Sequence, residues 1–201
     1  MTEAVPERDG WPLDPDLSPA DIDQLFLKAG NGGTRRPTAL SLSKFACLLG
    51  APEPSDVERE AMTALLADLE AADRAFNEIL PIKCSIREIS TEDLLREDGP
   101  YLPLAELVTG FIVAWMRSRP IGEYSVHAAT SVSEQLLAMH GFPVSLTYGV
   151  PIKSAIIRWA RKIAEGKDVD RARDSLRRAI LGRIRRGLDD EVNSRVNGHS
   201  D

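Results

Sequence analysis

The stretch Leu104-Ala-Glu-Leu-Val-Thr-Gly-Phe-Ile-Val-Ala-Trp-Met-Arg-Ser-Arg119 decides the fold. Leu104, Leu107, Val108, Phe111, Ile112, Trp115 and Met116 recur at intervals of three and four, which lays one continuous apolar stripe along a helix. Pro103 suits the first helical position, where an N–H is not needed. Pro120 ends the helix, because the residue before a proline is pushed out of helical dihedrals. A second helix is predicted from about Val126 to His140, closed by Gly141. The short loop Arg119-Pro-Ile-Gly-Glu-Tyr-Ser125 joins the two. This hairpin is the expected centre of an all-α domain, a single helical bundle built round it.

Toward the N-terminus, Ser18 is an N-cap, Pro19 the first helical residue, and Asp21 an acid facing the positive helix end. Ile22, Leu25, Phe26 and Ala29 give a short amphipathic helix ending at Gly30. The loop Asn31-Gly-Gly-Thr-Arg-Arg-Pro37 has no preceding strand and no following G-K-[ST], so it reads as a connector and not as a phosphate cradle. A short helix is expected from Ser43 to Leu49, ending at Gly50. Ser55-x-x-Glu58 is a capping box. The long helix behind it buries Met62, Leu65, Leu66, Leu69, Ala72, Phe76 and Ile79. Its outer face is read as acidic through Glu58, Glu60, Asp68, Glu70 and Asp73. Pro81 to Ile89 shows the only strand-like alternation, so at most one short strand or flap is expected.

Toward the C-terminus, Ile152, Ala155, Ile156, Trp159, Ala160, Ile163 and Ala164 form another stripe, ended by Gly166. Asp168 then caps a last helix with Val169, Ala172, Leu176, Ile180, Ile184 and Leu188 facing inward. The expected organisation is a disordered tail over residues 1–17, an N-terminal helical extension over 18–80, the helical domain over 81–188, and a second tail over 189–201.

Composition bounds the function. The 201 residues are 43% hydrophobic and 5% aromatic, so the core is aliphatic. The net charge of −6 hides an asymmetry. Met1 to Ile152 holds 12 basic and 23 acidic residues, whereas Lys153 to Arg186 holds 12 basic and 4 acidic. Cys47 and Cys84 form no C-x-x-C and the histidines show no i, i+4 pairing, so neither a metal site nor a cofactor is expected. Both thiols are expected buried and free. The acidic N-terminus is no signal peptide, and the longest apolar run is too short to span a bilayer, which together point to a cytoplasmic protein.

The hairpin loop is the first candidate site. The start of the 126–140 helix offers unpaired N–H groups and positive partial charge. Arg119, Ser125 and His127 around it are suited to hold an anion, with Glu123 between them as a magnesium ligand or a partner for Arg119. The competing structural reading gives Ser125 to helix capping, Glu123 to the positive helix end and Arg119 to a helix C-terminus. The second candidate is the last helix, with Arg171, Arg177, Arg178, Arg185 and Arg186 as a basic surface. It suits a phosphate backbone, or acidic surface of this chain or of a partner.

The frame Arg119-Pro-Ile-Gly-Glu-Tyr-Ser-Val-His127, then Ala128 to His140, then Gly141-Phe-Pro143, resembles the Fic family. That family sets H-P-F-x-[DE]-G-N-G-R between two helices of an all-α fold. Pro120, Ile121, Glu123 and the closing Gly-Phe-Pro agree. The motif histidine, which acts in the family as general base toward a target hydroxyl, is replaced by Arg119, which stays protonated. Tyr124 and Val126 stand where glycines approach phosphate, Ser125 where the asparagine is, and His127 where the arginine is. The resemblance therefore implies a non-catalytic Fic-like protein acting through a protein partner. A divergent nucleotidyl- or phosphotransferase is the alternative, and a nucleic-acid-binding regulator using the basic helix the second alternative.

Overall fold

A computed structural model describes residues 17–33, 35–79, 101–146 and 155–197. The described residues form seven α-helices: α1 (Pro19–Lys28), α2 (Ala39–Leu48), α3 (Asp56–Ile79), α4 (Tyr101–Ser118), α5 (Ser125–Met139), α6 (Ala155–Ala164) and α7 (Val169–Asn197). A 3₁₀ turn, Gly122–Tyr124, leads into α5. Among the described residues there is no strand, only an isolated bridge between Gly32 and Arg35. The all-α bundle is as expected. None of these helices is long and apolar enough to cross a membrane. The strand expected at 81–89 and the N-terminal tail over 1–16 lie outside the described residues.

The helix starts follow from side-chain caps. Ser18 and Asp21 form a reciprocal capping box, as do Thr38 and Ser41. At α3, Glu58 accepts the Ser55 N–H at 2.7 Å while Ser55 Oγ accepts the Glu58 N–H at 3.3 Å. The Thr38 cap starts α2 four residues earlier than the expected Ser43, because Thr38-x-x-Ser41 supplies both halves of a box. The helix ends share one device. After α1, α2, α5 and α6 a glycine at positive φ lets the next N–H reach back to the carbonyl five residues earlier, as Phe142 does to Leu137 at 2.8 Å. The glycines are Gly30, Gly50, Gly141 and Gly166, the four terminators read from the sequence.

Helix α4 is the axis of the bundle and packs against α3, α5, α6 and α7. Its stripe is buried as expected: Trp115, Ile112, Val108 and Met116 are fully enclosed, and only Leu107 is half-buried. Helix α5 is buried on nearly every side, from Ser125 to Ser133 without a break. Small side chains make that possible. Thr130 and Ser133 return their hydroxyls to Val126 and Ala129 carbonyls of their own helix, so close packing leaves no orphaned hydroxyl there. Phe26, Phe45 and Met62 of α1–α3 lie in the same hydrophobic core as α4–α7. Three details differ from expectation. Cys47 is exposed, not buried. Helix α7 runs to Asn197, past the tail predicted from 189. Ala72 is exposed while Asp73, read as part of the outer face, is buried.

The reason for the last is register. Met62, Leu66, Leu69, Asp73 and Phe76 recur at four- and three-residue intervals, and this is the stripe that α3 turns inward. Asp73 is 2% exposed. Its Oδ2 accepts Arg36 Nη2 at 2.7 Å, and its Oδ1 meets His140 Nε2 at 2.6 Å. Asn77 Nδ2 adds a 3.4 Å contact to the same oxygen. The Phe76 ring stands edge-on to His140 at 5.0 Å. One carboxylate thus ties α3 to the α1–α2 loop and to the end of α5. Asp73→Asn keeps the shape but removes the charge that both donors need. It is expected to cost about 2–4 kcal/mol in denaturant melts, the upper part of the range because the carboxylate is buried. A loss under about 0.5 kcal/mol would make the network incidental.

Candidate functional site

The hairpin loop does not gather the four residues expected there. Ser125 is wholly buried, and its Oγ accepts the Ile121 N–H at 3.3 Å, so it braces the turn instead of facing a ligand. His127 is 3% exposed, and its Nε2 has no hydrogen-bond partner. Burial pushes its pKa down to about 4, so at neutral pH it is an uncharged imidazole without the positive charge expected of an anion clamp. Arg119 and Glu123 do reach solvent, and neither has an ion-pair partner among the described residues. The physical cause is the burial of α5 on all sides, which turns the first turn of the helix inward.

Arg119 has a backbone role instead. It sits just past α4 at φ 48°, where the other helices place glycine, and its N–H reaches the Trp115 carbonyl at 2.8 Å. It is the residue that reverses the chain into the loop, at a steric cost its Cβ imposes.

The basic residues of α7 are divided. Arg171 and Arg173 are exposed. Arg177 is joined to Glu106 of α4 at 2.8 Å. Arg178 and Arg186 fold back on carbonyls of their own helix, Asp174 at 3.4 Å and Gly182 at 3.2 Å. Arg185 is half-buried. Arg183 is drawn toward the interior, where burial lowers its pKa and the charge of Glu134 opposes that shift. On neighbouring α6, Trp159 lies between Arg158 at 5.2 Å and Lys162 at 4.8 Å, a cation–π pair of contacts. Among the described residues no group of three metal-ligating side chains converges.

The concave surface lies elsewhere, on both sides of the α1–α2 loop. Gln135 of α5 holds that loop down: its Nε2 donates to the Arg35 carbonyl at 2.7 Å and more weakly to that of Gly33. Asn31 Nδ2 holds the other end through the Phe26 carbonyl. On one side is a cavity of about 440 Å³ between α2, α3 and α5, walled by Ala39, Leu40, Leu66, Leu69, Val132 and Leu136. On the other is a cavity of about 530 Å³ between α1, α5 and the segment at Pro143–Ser145. Gln135 and Met139 line both. Leu40 is 63% exposed, Leu27 52% and Met139 43%, so the two hollows are joined by uncovered apolar side chains. The sequence reading passed over this region. The signal available was slight: Leu40 and Met139 are apolar residues in the first turn of α2 and at the last residue of α5.

Two outcomes follow from the loop geometry. Arg119→Gly removes the Cβ clash at positive φ and is expected to raise stability by about 0.5–1.5 kcal/mol in denaturant melts; a loss would mean that the arginine side chain holds the loop. For His127, the folded pKa lies below the unfolded value near 6.5, so the unfolded chain binds the proton first. Stability contributed by the neutral ring is complete above about pH 6.5 and is lost as pH falls toward 4, by up to about 3 kcal/mol. His127→Leu is expected to flatten that part of the pH profile of stability; an unchanged profile would place the titration elsewhere.

Comparisons with protein-family models, with curated proteins and with solved structures give no match.

Proposed function

We infer that this is a non-catalytic, Fic-like helical protein that acts by binding a segment of another protein in the groove astride the α1–α2 loop. The observation that carries the reading is the paired apolar hollow with Leu27, Leu40 and Met139 uncovered around it. A volume of 440 Å³ is within the range of about 300–1,000 Å³ typical of binding clefts. Its walls are almost entirely side chains from rigid helices, which favours a preformed site. Glu60 and Asp68 are exposed on the neighbouring face of α3. The occupant that fits is therefore an amphipathic segment with an apolar face and basic residues beside it.

The burial of His127 and the bracing role of Ser125 support the non-catalytic form of the Fic-like reading. An uncharged imidazole in the interior and a committed hydroxyl leave the loop without a phosphate clamp. The transferase alternative has in its favour only the exposed pair Arg119 and Glu123. The nucleic-acid alternative draws on exposed Arg171 and Arg173 and on the cation-flanked Trp159.

Selection from a displayed peptide library on the purified chain tests the reading. Peptides with spaced apolar residues and adjacent basic ones are expected to be enriched, and to bind Leu40→Asp and Met139→Glu variants at least about tenfold more weakly, since each buries a charge against an apolar anchor. Both sites are exposed, so the variants keep the fold. Peptides that bind the variants equally well, or no enrichment, would remove the groove as the site. Labelled nucleoside triphosphate with magnesium supplies the second arm: transfer to protein that depends on Arg119 would reinstate the transferase.

A further inference from the structure

We propose that the cavity between α1, α5 and Pro143–Ser145 receives a basic side chain, arginine or lysine, of the partner segment; this rests on the groove being a protein-binding site. The argument is one of missing donors. The cavity is walled by Phe26, Leu27, Ala138, Met139, Pro143 and Val144, and none of its lining residues is a cation. Its two carboxylates, Asp23 and Glu134, differ in what the chain supplies to them.

Asp23 is half-buried on α1 and has no hydrogen-bond or ion-pair partner among the described residues. Burial alone acts on its carboxyl and raises its pKa. Gln135 is 9% exposed, and with its Nε2 committed to the loop carbonyls its Oε1 is buried without a donor. Glu134 also lines the cavity. Its Oε1 accepts the Leu146 N–H at 2.5 Å and Ser145 Oγ at 3.2 Å, and Arg183 lies close enough to feel its charge. Glu134 is therefore compensated, whereas Asp23 and Gln135 Oε1 are not. A half-buried, unpaired carboxylate on an apolar hollow calls for a cationic group with several N–H donors and an apolar stem. A guanidinium or ammonium on a methylene chain has both: the head supplies the donors and the stem lies along the walls. The volume of about 530 Å³ accommodates a long side chain with room for its neighbours.

The charge pattern of the site selects against other occupants. An acidic segment meets Asp23 and Glu134. A neutral apolar segment fills the walls but leaves Asp23 further desolvated without a donor, which is the unfavourable half of the exchange.

The probes are n-butylguanidinium and its uncharged isostere n-butylurea, titrated into the full chain with amide shifts read by NMR. The guanidinium is expected to bind saturably at about millimolar Kd, with shifts at Asp23–Leu27 and Ala138–Ser145, and the urea at least about tenfold more weakly. Asp23→Asn is expected to bring the two probes within about twofold of each other. Ala138→Phe, an exposed site whose new ring fills the hollow, is expected to abolish both. Equal binding of the two probes, discrimination that survives Asp23→Asn, or binding that survives Ala138→Phe would each overturn the proposal. Peptides selected in the display experiment give the second arm. Replacing their arginine by citrulline is expected to weaken binding at least about tenfold; no change would overturn the basic side chain and leave the groove standing. Failure to select any peptide, with probe discrimination intact, would instead overturn the groove reading. Self-association of the chain that Asp23→Asn abolishes would assign the cavity to α7 of a second copy and overturn the separate partner.

Discussion

The bundle depends on a charge in an apolar place. Asp73 stands at an inward position of α3 between Leu69 and Phe76, where every other member of the stripe is hydrophobic. A carboxylate there is tolerated only because it is answered from two sides, by Arg36 and by His140. Those partners come from parts of the chain distant in sequence. Arg36 belongs to the loop after α1, and His140 to the residue that closes α5. The interaction is therefore directional in a way that aliphatic packing is not. Leucines accept many rotations of α3 against α5, whereas the carboxylate accepts the one that brings both donors within hydrogen-bond distance. The same contact fixes where the α1–α2 loop leaves the surface, and so where the groove forms. Arg36 is at once a ligand of Asp73 and part of the cavity wall.

Much of the fold was legible because helix ends are local events. A capping box needs only residues three apart, and a glycine after an apolar stripe needs no tertiary information. Ser18, Ser55, Gly30, Gly50, Gly141 and Gly166 accordingly read correctly. Stripes read correctly where the apolar set was unambiguous, as on α4 and α7. The reading of α3 failed by a single register because spacing allowed two stripes and residue chemistry favoured the wrong one. Ala72 was placed inward for being apolar and Asp73 outward for being charged, and the 62–65–69–72–76 interval is as helical as the 62–66–69–73–76 interval that the fold uses. Burial of a charge is a tertiary fact, since it requires Arg36 and His140 to arrive, and neither arrival is visible from α3.

The loop site fared differently because Arg119 and Glu123 reach solvent, while Ser125 and His127 belong to the buried start of α5. The sequence reading gave Ser125 and His127, at the start of α5, a route to solvent. Its run of Ala, Ser and Thr carries the opposite message. Small residues let neighbouring helices approach closely, and over Ser125–Ser133 the helix is enclosed, leaving its later turns to line the hollows. The residues that do face solvent beside a hollow, Leu40 and Met139, carry no chemistry that a motif search would mark. Gln135 and Asp23 acquire meaning only through what is missing around them, and a missing partner leaves no trace in sequence.

The charge asymmetry of the chain takes on a different sense once the helices are placed. The basic C-terminal region looked like an outward surface, but part of it is turned to the chain's own acids: Arg177 to Glu106, and Arg183 toward Glu134. Glu134 in turn holds the backbone of Leu146 against the bundle. Cations on α7 thus help neutralise the acids nearest to them. The acids of α1 and α3 lie beyond that reach. Asp23 lines one hollow and Glu60 and Asp68 are exposed on α3, while Arg36 in the wall of the other hollow is paired with Asp73 and Glu70. The unpaired Asp23 beside an apolar hollow is the electrostatic counterpart of the uncovered Leu40 and Met139. Both features are unfavourable to leave uncovered, one through apolar exposure and the other through a carboxylate left without a donor, and both are relieved by the same amphipathic basic segment.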